Sequence, residues 1–170
     1  YRHLLKSFSP EPVTLVTLDI GADKTHPYFP IEEDNPFLGW RGIRISLDHP
    51  EIFIVQLRAM LRASAGLNNM NLLFPMINSV SEVDDALRLL RRAHHELIAS
   101  GFSINMPRVG VMIEVPSAVY QVQEFARRVN FISVGTNDLP QHFLAVDRNT
   151  ARVPKLYDSL HPTEIRALQH

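Results

Sequence analysis

Residues 108–115 read RVGVMIEV, and residues 130–138 read NFISVGTND. Each stretch holds a β-branched, apolar run with a carboxylate at or just beyond its end, Glu114 in the first and Asp138 in the second. Short apolar runs of this kind are typical of strands in a parallel sheet that is covered by helices. Because ligands bind beyond the carboxyl ends of parallel strands, these two acids are the first candidates for a functional site.

Three further apolar runs precede these two. Val13 to Ile20 and Asn71 to Ile77 are predicted strands, and Gly42 to Ile45 is a short additional one. Their alternation with stretches of helical period predicts a parallel α/β fold, either a barrel or an open doubly wound sheet. Five strands cannot close an eight-stranded barrel. We therefore expect residues 1–170 to form a single, partial domain.

Helix signals lie between the predicted strands. Ser79 followed by Glu82 is a capping box, and the helix that it begins is expected to end at Gly101. Asp48 is expected to cap a helix that has Pro50 in its first turn. Other helices are predicted over Pro116 to Arg128, Leu139 to Val146 and Thr163 to His170.

Composition narrows the class of protein. Hydrophobic residues make up 45% of the chain and charged residues 21%, as in ordinary globular proteins. The net charge is -1, so neither nucleic acid nor an anionic membrane is indicated as a partner. Membrane insertion is not expected, because no apolar run approaches the roughly 18 residues that a span needs. The chain has no cysteine, which excludes disulfides within it and agrees with a cytoplasmic location.

The two acids at the strand ends suit a magnesium site. Mg²⁺ is held by one or two carboxylates and keeps places for water and for substrate phosphate. Glu114 and Asp138 could supply those carboxylates from neighbouring strands. The alternative is that each acid caps the next helix or pairs with a nearby arginine.

Arginines near the same strand ends could hold an anion. Arg41, Arg44 and Arg148 are candidates, because guanidinium binds phosphate or carboxylate through two parallel hydrogen bonds. The alternative for Arg148 is an ion pair with Asp147 or with a helix end, and Arg44 could be a surface charge. Asp19, after the first strand, could line the same rim or support the loop beneath it.

Several long strings resemble one family. The segments 17–24 (TLDIGADK), 34–44 (DNPFLGWRGIR), 74–77 (FPMI), 109–118 (VGVMIEVPSA) and 131–148 (FISVGTNDLPQHFLAVDR) are similar, in this order, to Enzyme I of the phosphoenolpyruvate-dependent phosphotransferase system. Residues 152–162 (RVPKLYDSLHP) are more similar to the nitrogen-type enzyme than to the sugar-uptake type. The resemblance implies a phosphoenolpyruvate-binding (β/α)₈ barrel, of which this chain would hold about strands two to six.

The resemblance also implies an activity. Phosphate would pass from phosphoenolpyruvate to a histidine on a separate N-terminal domain, and then to a small histidine-phosphorylated carrier protein. Glu114 and Asp138 match magnesium ligands, while Asn137, Asp138 and Arg148 match residues that contact phosphoenolpyruvate. Arg41 matches a further rim arginine near the phosphate. Mg²⁺ would stabilise the pyruvate enolate, and the full-length enzyme would be a homodimer.

This sequence departs from the family pattern in places. Val16 stands where the family has a phosphate-binding arginine, and Pro140 stands where it has a threonine. The proton-donating cysteine and the acceptor histidine are expected outside this chain, so the isolated chain is expected to be inactive. The alternatives are the barrel of a phosphoenolpyruvate synthase or pyruvate phosphate dikinase, and a catalytically impaired regulatory or interaction module.

Overall fold

A four-stranded parallel sheet forms the centre of the computed structural model. The structure describes residues 1–24, 30–149, 156–158 and 160–169. The strands pair in the order β1-β2-β3-β4. They are β1 (Val13–Val16), β2 (Met70–Phe74), β3 (Arg108–Ile113) and β4 (Phe131–Val134).

Helices occupy the connections between the strands. In the described part of the chain, none of them is long and apolar enough to cross a membrane. They are α1 (Arg2–Phe8), α2 (Ile43–Asp48), α3 (Pro50–Ser64), α4 (Val80–Ala99), α5 (Pro116–Val119), α6 (Val122–Ala126), α7 (Asp138–Leu144) and α8 (Pro162–Gln169).

Each strand pairs with its successor in the chain, and this order identifies the architecture. Crossovers between parallel strands are right-handed, so a sequential order places all connecting helices on one face of the sheet. A doubly wound sheet would instead reverse its strand order part-way. Accordingly, α3 packs against α4 and α4 against α6. The fold is therefore a section of a parallel α/β barrel, as predicted, and the sheet does not close.

The helix-covered face of the sheet carries the hydrophobic core. Phe53 of α3 meets Phe74 of β2 edge to face, with ring centroids 6.1 Å apart. The predicted capping box is confirmed, because the Ser79 side chain accepts from the Glu82 backbone and the Glu82 side chain accepts from the Ser79 backbone. Gly101 has a φ of 86° just after α4, which confirms the predicted end of that helix.

The predicted strand at Gly42 to Ile45 is wrong, so the described sheet has four strands where five were expected. Gly42 has a φ of 55°, and its N–H donates to the carbonyl oxygen of Ile20 at 3.1 Å. This turn begins α2, in which Ile43, Ile45 and Ser46 are all buried. Four residues are too few for the apolar pattern to separate a buried strand from a turn of helix that is buried on all sides.

Other boundaries differ from the predicted ones. Asp48 does not cap α3; it ends α2 and accepts a hydrogen bond from the Trp40 indole at 2.7 Å. The helix predicted over 116–128 is two short helices, α5 and α6, and Ala126 is exposed. The first strand ends at Val16, and the last helix begins at Pro162, with His170 outside the described residues.

The opposite face of the sheet is the side on which a closed barrel would have its interior. The strand register places Val16, Leu73, Gly110 and Phe131 side by side across it. The Phe131 ring lies against Gly110, so a Cβ atom at that position would overlap the ring. Val16 is 42% exposed on this face. Val16 is the last residue of β1, whereas Phe131 is the first residue of β4.

We predict that Gly110→Ala destabilises the protein by about 1–3 kcal/mol, because the added methyl group overlaps the Phe131 ring. Chemical denaturation of the wild-type and variant proteins measures the loss. Phe131→Leu alone is the control, and Phe131→Leu combined with Gly110→Ala should recover most of the lost free energy. A double variant as unstable as the sum of the two single changes would contradict this packing.

Candidate functional site

The two predicted acids meet at the carboxyl end of the sheet. Glu114 follows β3 directly, and Asp138 is the first residue of α7, which follows β4. Their carboxyl groups are close enough to interact electrostatically. Both residues are buried, with 3% of Glu114 and 8% of Asp138 exposed. They come together because the pairing of Ile113 with Val134 places the ends of the two strands side by side.

The environment of Glu114 disfavours its charge. Burial raises the pKa of its carboxyl group to about 7, and the nearby carboxylates of Asp138 and Asp19 act in the same direction. The backbone N–H of Met76 opposes this shift by donating to Oε1 of Glu114 at 2.5 Å. Three acids therefore concentrate negative charge at one rim, and a cation bound there would be favoured electrostatically.

The acid pair fits Mg²⁺. Two carboxylate side chains, with places left for water and phosphate oxygens, are the protein donor set that Mg²⁺ commonly uses. Oδ1 of Asp138 is buried and lies 3.1 Å from Nη1 of Arg148. Within the described ranges, no group of three or more His, Cys, Asp and Glu side chains could hold a metal ion. Glu114 and Asp138 are the residues that would hold Mg²⁺ at this rim.

Arg148 lies beside the acid pair. Its Nη1 is 3.1 Å from Oδ1 of Asp138, so it pairs with this acid and not with Asp147 as the alternative supposed. The Gln141 side chain accepts a hydrogen bond from the Arg148 backbone at 3.1 Å and is itself buried. The arginine pairing considered as the alternative role for Asp138 is thus present. It leaves Arg148 at the edge of the rim, where it could also meet an anionic substrate.

Arg41 is buried and lies between two acids. Only 1% of the residue is exposed, its Nη1 is 3.4 Å from Oδ2 of Asp23, and its Nη2 is 3.9 Å from Oδ1 of Asp19. Nε and Nη1 make no hydrogen bond within the described structure. Lys24 pairs with the other oxygen of Asp19 at 2.5 Å. Arg41 is therefore near the rim, as predicted, with its charge already opposed by carboxylates.

The other predicted positions lie around this group. Asn137 is exposed just before α7, and its carbonyl oxygen accepts a hydrogen bond from the Tyr157 hydroxyl at 3.2 Å. Arg44 does not face the acid pair; it donates to the carbonyl oxygens of Leu38 at 3.1 Å and Gly39 at 2.7 Å. Arg44 is therefore a structural residue. Val16 ends β1 with an exposed apolar side chain.

Sequence analysis missed two residues that the structure places at the rim. The Phe37 ring centroid is 5.7 Å from Cζ of Arg41 and 5.9 Å from Cζ of Arg148. The His142 ring contacts the backbone carbonyl oxygens of Glu114 at 2.8 Å and Phe37 at 3.3 Å. No spacing in the sequence signals these contacts, because Phe37 and His142 are 105 positions apart.

Comparison with known proteins identifies the family. The family described as "PEP-utilising enzyme, PEP-binding domain" matches residues 1–170, the whole chain. The chain belongs to this family. As a PEP-binding domain, PEP being phosphoenolpyruvate, it carries the acid pair and Arg148 on the rim where a parallel barrel binds its ligand.

Two relatives of this PEP-binding domain carry phosphotransferase names. It is 59% identical over 169 residues to a "Phosphoenolpyruvate-dependent phosphotransferase system" protein of Escherichia coli, covering 99% of the chain and 23% of that protein. It is 43% identical over 172 residues to a "Phosphoenolpyruvate-protein phosphotransferase" of Latilactobacillus sakei, covering 100% of the chain and 30% of that protein. The chain thus spans less than a third of the length of these two relatives.

A solved structure shares the fold of this domain. The crystal structure of a citrate lyase from Burkholderia xenovorans LB400 superposes with a TM-score of 0.56 at 17% identity. The match covers 98% of this chain and 53% of that one. At this identity the likeness concerns the fold alone.

We predict that the free energy of unfolding of the metal-free protein falls as pH rises from about 4.5 to 7, and is level above that range. In this window native Glu114, with its pKa raised to about 7, holds a proton that the unfolded chain has already released. Urea denaturation in EDTA across the pH range measures the slope. Glu114→Gln should flatten it, whereas the exposed control Glu32→Gln should not. An unchanged slope in Glu114→Gln would contradict the assignment.

Proposed function

We propose that this domain is the phosphoenolpyruvate-binding part of a phosphoenolpyruvate-protein phosphotransferase. The observation that carries the proposal is the buried contact of Glu114 with Asp138, and of Asp138 with Arg148, at the carboxyl end of a barrel section. Family membership supports phosphoenolpyruvate as the substrate. The names of the relatives support protein phosphotransfer.

In the proposed reaction, the bond between phosphorus and the enol oxygen of phosphoenolpyruvate breaks as a bond from phosphorus to a histidine nitrogen forms. The histidine lies on another part of the full-length protein and passes the phosphoryl group to a carrier protein. The remaining pyruvate enolate takes up a proton at its terminal carbon. Negative charge therefore develops on the enolate oxygen and on the phosphoryl oxygens, and the rim must stabilise both.

The rim residues have distinct parts in this proposal. Glu114 and Asp138 hold Mg²⁺, which when bound supplies positive charge to the enolate and phosphate oxygens. Arg148 directs its guanidinium at the anionic substrate from its place beside Asp138. Arg41 adds positive charge behind the Phe37 ring, and Asn137 offers an exposed amide at the start of α7. We assign no acid or base role to the two carboxylates.

The relatives favour this proposal over the synthase and dikinase alternatives, because those compared above carry phosphotransferase names. The chain is 59% identical to the Escherichia coli protein and 43% identical to the Latilactobacillus sakei protein. This difference supports grouping the chain with the Escherichia coli protein. The nitrogen-type role, the homodimer and the cytoplasmic location stay predictions.

A second candidate function is a regulatory or interaction module with impaired catalysis. Val16 motivates it, because an apolar side chain, 42% exposed at the end of β1, stands where the family resemblance places a phosphate-binding arginine. Losing one such contact typically costs a few kcal/mol of transition-state stabilisation. Such a module would still bind phosphoenolpyruvate, but its phosphoryl transfer would be weak.

We predict that the full-length protein binds phosphoenolpyruvate only when Mg²⁺ is present. Glu114→Ala and Asp138→Ala should each weaken that binding by about a hundredfold or more, because each removes a ligand from a site with few protein donors. Isothermal titration with and without EDTA measures the affinity. Asp85→Ala, which removes an exposed acid of α4, is the control. Binding that is independent of Mg²⁺ and of both acids would contradict the proposal.

We predict that Val16→Arg increases phosphoryl transfer by the full-length protein by about tenfold or more, because it returns a guanidinium to the rim. The rate of pyruvate formation from phosphoenolpyruvate, with the carrier protein present, measures the gain. Val16→Leu, which stays apolar, is the matched control. No gain in Val16→Arg would show that Val16 is not what limits catalysis.

A further inference from the structure

The loop of residues 33–40, hereafter the rim loop, is held differently along its length. Its last residues are fixed by the two hydrogen bonds from Arg44 to the Leu38 and Gly39 carbonyl oxygens. Oε1 of Glu33 also accepts from the Trp40 backbone at 2.8 Å. These contacts hold the two ends of the rim loop, Glu33 and residues 38–40. Phe37, near its middle, has a separate attachment.

That attachment is His142. Its Nδ1 is 2.8 Å from the carbonyl oxygen of Glu114, and its Nε2 is 3.3 Å from the carbonyl oxygen of Phe37. A carbonyl oxygen only accepts hydrogen bonds, so each ring nitrogen that bonds here does so as a donor. The ring lies between these two oxygens and so links the end of β3, which bears Glu114, to the rim loop.

The position of Phe37 matters because two arginines face its ring. Its centroid lies 5.7 Å from Cζ of Arg41 and 5.9 Å from Cζ of Arg148, within the range of a cation–π contact. Arg41 comes from the segment after β1 and Arg148 from the segment after α7. The Phe37 ring is therefore a shared support for guanidinium groups that belong to two different parts of the chain.

A cavity of about 330 Å³ lies between the rim loop and α7, lined in part by Pro36, Phe37, Gln141 and His142. Its presence means that the tip of the rim loop is not closely packed against α7 on this side. Space of this size would let the tip shift if its hydrogen bond were lost. The His142 to Phe37 contact is therefore one restraint on the position of Phe37, beside the turn in which the Leu38 N–H donates to the Asn35 carbonyl oxygen at 2.9 Å.

We propose that His142 is a positioning residue for the phosphoenolpyruvate site. It holds Phe37 beside the cavity, and the Phe37 ring in turn supports the guanidinium groups of Arg148, beside the acid pair, and of Arg41, between Asp19 and Asp23. The inference rests on the proposed function, because it takes Arg148 to be a substrate contact. His142 itself bonds backbone carbonyl oxygens and acts through Phe37.

Variants of the full-length protein separate the two bonds of His142. The amide nitrogen of Gln can take the place of Nε2, and that of Asn can take the place of Nδ1. His142→Gln should therefore retain the Phe37 contact and bind phosphoenolpyruvate better than His142→Asn does. His142→Phe removes both ring nitrogens and should weaken binding by roughly tenfold, the upper end of what one hydrogen bond contributes. His95→Phe, an exposed substitution on α4, is the control.

Two measurements test whether His142 affects phosphoenolpyruvate binding through Phe37. Hydrogen exchange should rise in the rim loop in His142→Phe, with little change in the strands. Isothermal titration with phosphoenolpyruvate and Mg²⁺ should show that Phe37→Leu weakens binding. Combining Phe37→Leu with His142→Phe should weaken binding no further than the more severe single change, because both act through one ring.

Three results would overturn the positioning role: unchanged exchange in the rim loop, fully additive losses in the double variant, or equal binding by His142→Gln and His142→Asn. A general rise in exchange throughout the sheet would overturn it as well, by showing a stability effect. Failure of the wild-type protein to bind phosphoenolpyruvate would instead overturn the proposed function. The exchange measurement needs no substrate, so the two failures are distinguishable.

Discussion

The rim depends on the register between β3 and β4. The pairing of Ile113 with Val134 sets Glu114 opposite Gly135, and a Cβ atom on Gly135 would lie 2.6 Å from Cβ of Glu114 and 2.9 Å from its Oε2. Only glycine leaves room for the carboxylate in this place. A slip of one residue would turn Glu114 toward the helix-covered face of the sheet. Glu114 can meet Asp138 because strand pairing brings the ends of β3 and β4 together and because Gly135 has no side chain.

The charges at the rim follow from that packing. Asp138 has Arg148 as its partner, and Asp19 has Lys24, whereas the described residues give Glu114 a backbone N–H from Met76 and no basic side chain. Glu114 is thus the acid for which protonation is the remaining way to relieve buried charge. A bound divalent cation would relieve it without a proton. This is why burial and the neighbouring acids, which together raise the pKa of Glu114, also favour a metal ion there.

The sequence was sufficient for features that depend on local pattern. The apolar runs located the strands, and Ser79 with Glu82 located the start of α4, because a capping box is complete within four residues. Gly42 to Ile45 was misassigned since so short an apolar pattern fits a turn of helix equally well. The barrel could be separated from a doubly wound sheet only by strand order, which is a property of non-local pairing.

The same division holds for the candidate site. Glu114 and Asp138 could be predicted because strand ends collect on one edge of a parallel sheet. Phe37 and His142 could not, because their importance comes from a loop and a helix that approach each other across 105 positions of chain. Arg44 has the same residue type as Arg148 but binds loop carbonyl oxygens. Residue type therefore suggests candidate site residues, and the fold determines which of them face the site.

The charges around β1 bear on what Val16 means. The basic groups that the described structure places nearby are already committed, since Lys24 pairs with Asp19, and Arg41 lies buried between Asp19 and Asp23. Neither has a free charge to substitute for a guanidinium at position 16. In the proposed function, stabilisation of a phosphoryl group on this side of the rim would therefore depend on Mg²⁺, on Arg148 or on groups from the rest of the protein. Binding of phosphoenolpyruvate and transfer of its phosphate would then place different demands on this domain, and we expect Val16 to weaken the second more than the first.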